Sequence, residues 1–277
     1  MSLKKMSKVI FLDIDGTLVD FHQNMTEGTR SALSRAGANG HKLVLCTGRT
    51  YSNIYPWLLE LPWDGVIASA GAYVRCGEKV ISHKTMENEK VKKLIQFLER
   101  HQAFTLTQGI YNRYAKSRDG GKIMDFFARQ GFNGEKVLNG ITLVEQPAVE
   151  EALESVMYFD ADLAVPVMEE KIRRKFGNYF SVQGASFGYD KIYTGEIYRG
   201  GVTKATGMET LLAYWQMRRE NSIAIGDGPN DVDMIQYAGT GIVMENGTEE
   251  LKAMADFVTN SVEEDGVAHA FTRMSLV

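Results

Sequence analysis

Two aspartates, Asp13 and Asp15, stand two positions apart at the end of an apolar run, Val9-Ile10-Phe11-Leu12, and are followed by Gly16 and Thr17. Four consecutive apolar residues predict a strand buried on both faces, as in a parallel sheet covered by helices. Such a strand has no packing reason to end in two acids. In extended geometry, residues two apart project to the same side, and Gly16 lets the backbone turn sharply. Like charges held this close repel unless a cation or a shared proton resolves the repulsion. An Asp-Gly turn closing a strand is the plainer alternative, but the apolar run and the doubled acid favour a metal and phosphate site.

Two further apolar strands end in polar clusters. Lys42-Leu43-Val44-Leu45-Cys46 runs into Thr47-Gly48-Arg49, and Ser222-Ile223-Ala224-Ile225 runs into Gly226-Asp227-Gly228-Pro229-Asn230-Asp231. Alone, the first could merely begin a helix and the second could be a turn with a helix cap. In a parallel sheet, however, the carboxyl ends of the strands share one edge, and ligands bind there. Carboxylates of Asp13 and Asp227 are hard oxygen ligands that suit Mg²⁺, with waters and a substrate phosphate completing the octahedron. The absence of a His or Cys cluster beside them argues against zinc. A carboxylate can attack phosphorus to form an aspartyl-phosphate, which splits one hard displacement into two easier ones. The phosphoryl oxygens then need compensating charge from Mg²⁺, loop N–H groups, a hydroxyl such as Thr47 and a lysine. Lys204, at a helix start after Arg199-Gly200-Gly201-Val202-Thr203, is the candidate lysine; a solvated surface lysine is the alternative.

The elements that must position these residues alternate strand and helix. A helix from Thr26 to Ala36 stops at Gly37 and Gly40, and a second from Tyr51 to Leu59 ends by Pro62. Strand Val66-Ile67-Ala68 enters Ser69-Ala70-Gly71-Ala72, and a hairpin about Gly77 pairs residues near 73–74 with 80–81. This rhythm predicts a doubly wound, Rossmann-like α/β parallel sheet. From about Ser82 it changes. Val91, Leu94, Ile95 and Leu98 mark an amphipathic helix. Strands follow at 104–107, 111–115 and 141–145, then a helix from Val149 to Leu153 and a strand from Ser155 to Phe159. Pro166 opens a helix carrying Met168, Ile172 and Phe176, before strands at 179–182 and 187–189. No phosphate-type loop occurs there, so residues 83–189 read as an α+β domain inserted into a discontinuous core of 1–82 and 190–277. The core then resumes with helix Thr203–Arg218, strand 222–225, a helix to Tyr237, strand 241–243, a helix from Thr248 and a strand near Phe257.

Composition narrows the function classes. A formal charge of -4 gives no basic field, so no nucleic-acid partner is expected. No apolar run approaches the roughly 20 residues of a membrane helix, and the apolar run after the first lysines is too short for a secretory signal. No membrane partner and a cytoplasmic location are therefore expected, with Met1 to Met6 left out of the fold reading. The two cysteines, Cys46 and Cys76, form neither a disulfide framework nor a zinc spacing, and Cys46 reads as a small core residue. Tyr189, Tyr193 and Tyr198 read as strand packing or as lining for the substrate entry, and Arg113, Lys116 and Arg118 as a solvated basic face or an anion contact.

In the order Asp13-Ile14-Asp15-Gly16-Thr17, Thr47-Gly48-Arg49, Lys204 and Gly226-Asp227-Gly228-Pro229-Asn230-Asp231, the chain resembles phosphatases of the haloacid dehalogenase superfamily. Gly201-Val202-Thr203-Lys204, Val258-Thr259-Asn260 and Glu264-Asp265-Gly266-Val267-Ala268 resemble its Cof-type subgroup. The resemblance implies Asp13 as nucleophile and Asp15 as general acid, then base. It implies phosphate binding by Thr47, Gly48, Arg49 and Lys204, and Asn230 on the phosphate or on Lys204. It assigns Mg²⁺ to Asp13, the Asp15 carbonyl and Asp227, supported from behind by Asp231. The insert becomes a C2-type cap of the C2B form. Two departures stand out: Ala70-Gly71-Ala72 where Asn-Gly-Ala is frequent, and Met244-Glu245-Asn246-Gly247 where Met-Gly-Asn-Ala is frequent. The expected activity is hydrolysis of a small phosphorylated metabolite such as a sugar phosphate. The alternatives are a phosphomutase on the same scaffold and a catalytically silent phospho-ligand-binding regulator. No oligomeric state is assigned.

Overall fold

The computed structural model describes residues 7–20, 22–148, 151–184 and 193–277. The chain divides into two compact units, one of Met1–Arg49, Ile54–His83 and Thr203–Val277, the other of Thr50–Asn53 and Lys84–Val202.

The first unit opens with β1 (Val9–Leu12), α1 (Glu27–Ala38) and β2 (Lys42–Cys46). The Thr26 hydroxyl caps α1 by accepting from Thr29 N at 3.2 Å, and Leu33 is buried, as the pattern predicts. The helix expected over 51–59 is not continuous. A single turn at Tyr51–Asn53 precedes α2, which is only Pro56–Leu59. Pro56 is the reason, because it disfavours helical backbone at Tyr55, whose ψ is 127°. Then come β3 (Gly65–Ala68), β4 (Tyr73–Cys76) and β5 (Lys79–His83).

The second unit contains α3 (Asn88–Glu99), β6 (Phe104–Gly109), β7 (Arg113–Lys116), α4 (Gly120–Arg129), α5 (Gly134–Asn139), β8 (Thr142–Val144), β9 (Leu153–Phe159), α6 (Val165–Phe176), β10 (Phe180–Gly184) and β11 (Gly195–Arg199). Its sheet runs β10-β11-β9-β6-β7-β8. Alternation buries both faces. Leu106, Met157 and Phe159 pack with Ile123, Phe126 and Phe127 of α4, while Val156, Tyr158 and Ile197 pack with α3 and α6. The helix expected over Val149–Leu153 is corrected at its end, since Leu153 begins β9 and its carbonyl accepts from Met86 N. Val149 and Glu150 lie outside the described residues, as do the strand expected at Phe187–Tyr189 and Tyr189 itself. Residues 195–199, which the sequence reading assigns to the core without a strand, form β11 and pair with β9 and β10 in the second sheet.

The chain then resumes the first sheet with α7 (Lys204–Tyr214), β12 (Ser222–Gly226), α8 (Val232–Tyr237), β13 (Thr240–Val243), α9 (Glu249–Lys252), β14 (Phe257–Val258) and α10 (Gly266–Arg273). The strand order is β14-β13-β12-β1-β2-β3-β4-β5, parallel from β14 to β3 and antiparallel over the last two pairings. Successive connections lead away from β1 in both directions, so the order reverses between β12 and β2, where α/β sheets bind ligands. Leu12 pairs with both Ile225 and Leu45. That register brings Asp13, Cys46 and Gly226 level at one edge.

All four β1 residues are fully buried. Val9 and Phe11 pack with Met208 and Leu211 of α7 and Met234 of α8, and Ile10 and Leu12 face the opposite side. Each contributes about 1.5–3 kcal/mol on burial, so the strand that presents Asp13 is held firmly. Among the described residues no helix is long and apolar enough to cross a membrane.

Candidate active site

Asp13 continues β1 by donating its N–H to Ile225 O at 3.0 Å, and its side chain is almost wholly buried. Its Oδ1 accepts from Lys204 Nζ at 2.6 Å. Among the described residues, Oδ2 has no hydrogen-bond partner. Lys204 is fully buried and donates also to Asp231 Oδ1 at 2.5 Å. The other oxygen of Asp231 accepts from Asp227 N at 3.0 Å and Gly228 N at 2.9 Å. Both Asp231 oxygens are thus committed to holding the lysine and the loop after β12.

Lys204 owes its place to the start of α7. Thr203 and Thr206 cap that helix reciprocally. Ala205 N is taken by Asp233 Oδ2 of α8 at 2.9 Å. The turn after β3 braces the same end. Ser69, Ala70 and Gly71 all have positive φ, and a Cβ on Gly71 would stand 2.1 Å from Thr203 O. Only glycine permits that approach.

Asp227 is partly exposed, and its Oδ1 accepts from Thr17 Oγ1 at 2.8 Å. Gly16, at φ +83°, is equally constrained, since a Cβ there would stand 2.2 Å from Asp227 Oδ2. Asn246 holds this turn by donating to Gly16 O at 2.8 Å while accepting from Val262 N at 2.9 Å. The departure at 244–247 therefore keeps the amide that secures the acidic loop.

One carboxylate oxygen each from Asp13, Asp227 and Asp231 lies within 4.8 Å of the others. Three acids share a single ammonium here. Burial, then the charge of Asp231, push the Asp13 carboxyl up to about 7, against the pull of Lys204. Burial, then Asp231 and Asp13, raise Asp227 well above the carboxylate range. Burial opposes the charge on Lys204, but Asp13 and Asp231 outweigh it and hold the ammonium protonated. A hard divalent cation would relieve the imbalance, and the all-oxygen donor set fits Mg²⁺. Asp13 and Asp227 have oxygens to offer it, whereas those of Asp231 are occupied.

Thr47 is buried beside this cluster and its Oγ1 accepts from Arg49 N at 3.1 Å, leaving its hydroxyl proton to donate. Gly48 is half-buried. The Arg49 guanidinium lies on Asp15, with Nε–Oδ2 at 2.6 Å and Nη2–Oδ1 at 2.7 Å, and on Tyr55, a residue the sequence pattern does not single out. Asn230 makes no hydrogen bond to Lys204; its Oδ1 lies beside Gly228. Cys46 is buried, as expected of a core residue. In the second unit Lys116 and Arg118 both pair with Glu99, while Arg113 donates to Gly140 O, so the basic trio is dispersed.

Comparisons with known proteins point to one family. The profile of the haloacid dehalogenase-like hydrolases matches residues 10–271. The chain is 30% identical to YxeH of Bacillus subtilis over 281 residues, covering 98% of this chain and 99% of that one. It is 28% identical over 272 residues to the 5-amino-6-(5-phospho-D-ribitylamino)uracil phosphatase YitU of the same organism, with 94% of each covered. The solved structure of the HAD subclass IIB sugar phosphatase BT4131 superposes with a TM-score of 0.81 at 25% identity, over 98% of this chain and 100% of that chain. The chain belongs to the haloacid dehalogenase-like hydrolase family, within its Cof-type group.

Proposed function

We propose that this protein is a Mg²⁺-dependent phosphatase that hydrolyses a small phosphomonoester through an aspartyl-phosphate on Asp13. The observation that carries this reading is the state of Asp13, a buried carboxylate with one oxygen on Lys204 at 2.6 Å and the other unpartnered among the described residues. A carboxylate fixed on one side is oriented to attack with the other. Asp13 Oδ2 forms a bond to phosphorus, the ester P–O bond breaks, and the leaving oxygen takes a proton from Asp15. Water then attacks phosphorus, Asp15 takes its proton, and the bond to Asp13 breaks to release phosphate. Lys204 and the Thr47 hydroxyl steady the phosphoryl oxygens, with loop N–H groups such as Gly48. Asp13, the Asp15 carbonyl and Asp227 would hold Mg²⁺ in this reading, and the ion would supply compensating positive charge for the phosphoryl oxygens.

The names of YitU and BT4131 indicate hydroxyl-rich phosphate esters, and we extend that class to this chain as a sugar phosphate or similar metabolite. The second unit, in this reading, is the C2-type cap that selects the leaving group. Phosphate release from 4-nitrophenyl phosphate with Mg²⁺ tests the proposal. Asp13→Asn is expected to lose at least about 1,000-fold in turnover, and chelation of the metal to abolish it. Undiminished turnover by Asp13→Asn would remove Asp13 from the nucleophile's role.

A further inference from the structure

Arg49 does not hold Asp15 by charge alone. Its Nε and Nη2 meet the two carboxylate oxygens separately, at 2.6 and 2.7 Å, in the two-pronged geometry that fixes both position and plane. The same Nη2 donates to Tyr55 Oη at 2.5 Å, and the guanidinium carbon lies 4.3 Å from the centre of the Tyr55 ring. The backbone at 49 is also tied on both sides, N–H to Thr47 Oγ1 at 3.1 Å and carbonyl from Ser69 N at 2.7 Å. Burial works against the Arg49 charge, but the bonds to Asp15 more than compensate and keep the guanidinium charged.

Asp15 needs such support. Its side chain is 44% exposed, against 6% for Asp13. Among the described residues Arg49 is the only side chain hydrogen-bonded to it. An exposed aspartate otherwise samples several rotamers. Each carboxylate oxygen has two lone pairs, so the clamp uses one from each and leaves one from each for a proton in transit.

We propose that Arg49, braced by Tyr55, is a positioning residue for the proton-transfer carboxylate of Asp15, and not a ligand of the substrate phosphate. The proposal rests on the reading of Asp15 as general acid and base. It makes a demand that phosphate binding does not: the residue should matter in proportion to how badly the leaving group needs a proton. A lysine, as a single point charge, cannot reproduce the fork.

The experiment compares kcat/KM for two esters, glycerol phosphate, whose alkoxide must be protonated, and 4-nitrophenyl phosphate, whose phenolate leaves without help. For Arg49→Gln the alkyl ester is expected to lose about 100-fold and the aryl ester no more than about a tenth of that. Arg49→Lys should behave like Arg49→Gln, and Tyr55→Phe should show a smaller loss with the same bias. Equal losses on both esters with a raised KM would make Arg49 a phosphate ligand. Equal losses with a lowered Tm would make it structural. Either overturns the proposal. Wild-type turnover of both esters, lost in Asp13→Asn, checks the phosphatase reading separately; wild-type turnover of neither would overturn that reading and this proposal together.

Discussion

Each unit of the molecule holds an acid away from water, and the two solutions are opposite. In the first, Asp13, Asp227 and Asp231 converge around one lysine, and one oxygen of Asp13 has no hydrogen-bond partner among the described residues. In the second, Glu196 of β11 accepts at one oxygen from Gln108 Nε2 and Ser155 Oγ, each at 2.7 Å, and the amide and hydroxyl are themselves bonded at 2.9 Å. Burial raises the Glu196 carboxyl, while the bonds from Tyr198, Ser155 and Gln108 oppose the shift. The second cluster is closed by neutral donors and serves the sheet, since Gln108, Ser155 and Glu196 come from three adjacent strands. The first is an open set of charges that, in the proposed reading, takes a cation and a phosphate. Burial alone does not distinguish a site from a structural network; the charge balance and the unpartnered oxygen do.

Breaking the charge balance is expected to have the largest effect. Lys204→Met leaves Asp13 and Asp231 buried without their cation, which should cost about 3–5 kcal/mol in the urea-unfolding free energy and abolish turnover. A stability unchanged within error would mean that the lysine carries no such load. Gly71→Ala comes next. The added Cβ meets Thr203 O in a left-handed turn, and about 2–3 kcal/mol should be lost while the support beneath Lys204 shifts. A crystal structure of that variant with α7 unmoved would contradict the assigned brace.

The smallest effect belongs to the closed network. Because the folded pKa of Glu196 lies above its usual 4.5, the folded state binds the proton more tightly than the unfolded chain. Its contribution is therefore fully present below pH 4.5 and lost as pH rises through the folded value. Relative to Glu196→Gln, the wild type should lose stability as pH increases from 4.5 towards neutrality, read as a difference in urea midpoints. A difference that grows in the other direction would show that the three donors outweigh burial.

What the sequence made legible follows from how local its signals are. Asp13, Thr47, Lys204 and Asp227 each follow or begin a regular element, so the topology of a parallel sheet suffices to bring them to one edge. The partners found only in three dimensions lack such a signal. Tyr55 precedes a proline in an irregular stretch, Thr17 meets Asp227 from 210 residues away, Asn246 meets Gly16 from 230, and Arg49 looks from its motif like a phosphate contact. In the second unit α4 and α5 were not anticipated, since glycines at 120, 121 and 134 obscure the starts of both. The C-terminal helix α10 was hidden similarly by Gly266 and by a left-handed Asp265 at its start. At Leu153 the expected helix gives way to β9, because an apolar residue in a short run does not tell helix and strand periods apart.

The central claim is that Asp13 forms a covalent bond to the phosphoryl group. Rapid acid quenching during turnover of 4-nitrophenyl phosphate, followed by peptide mass spectrometry, tests it most directly. A hydroxylamine-labile phosphate is expected on the peptide containing Asp13 and is expected to be absent in Asp13→Asn. Full turnover with that peptide unmodified throughout, or a phosphate on another residue, would contradict it.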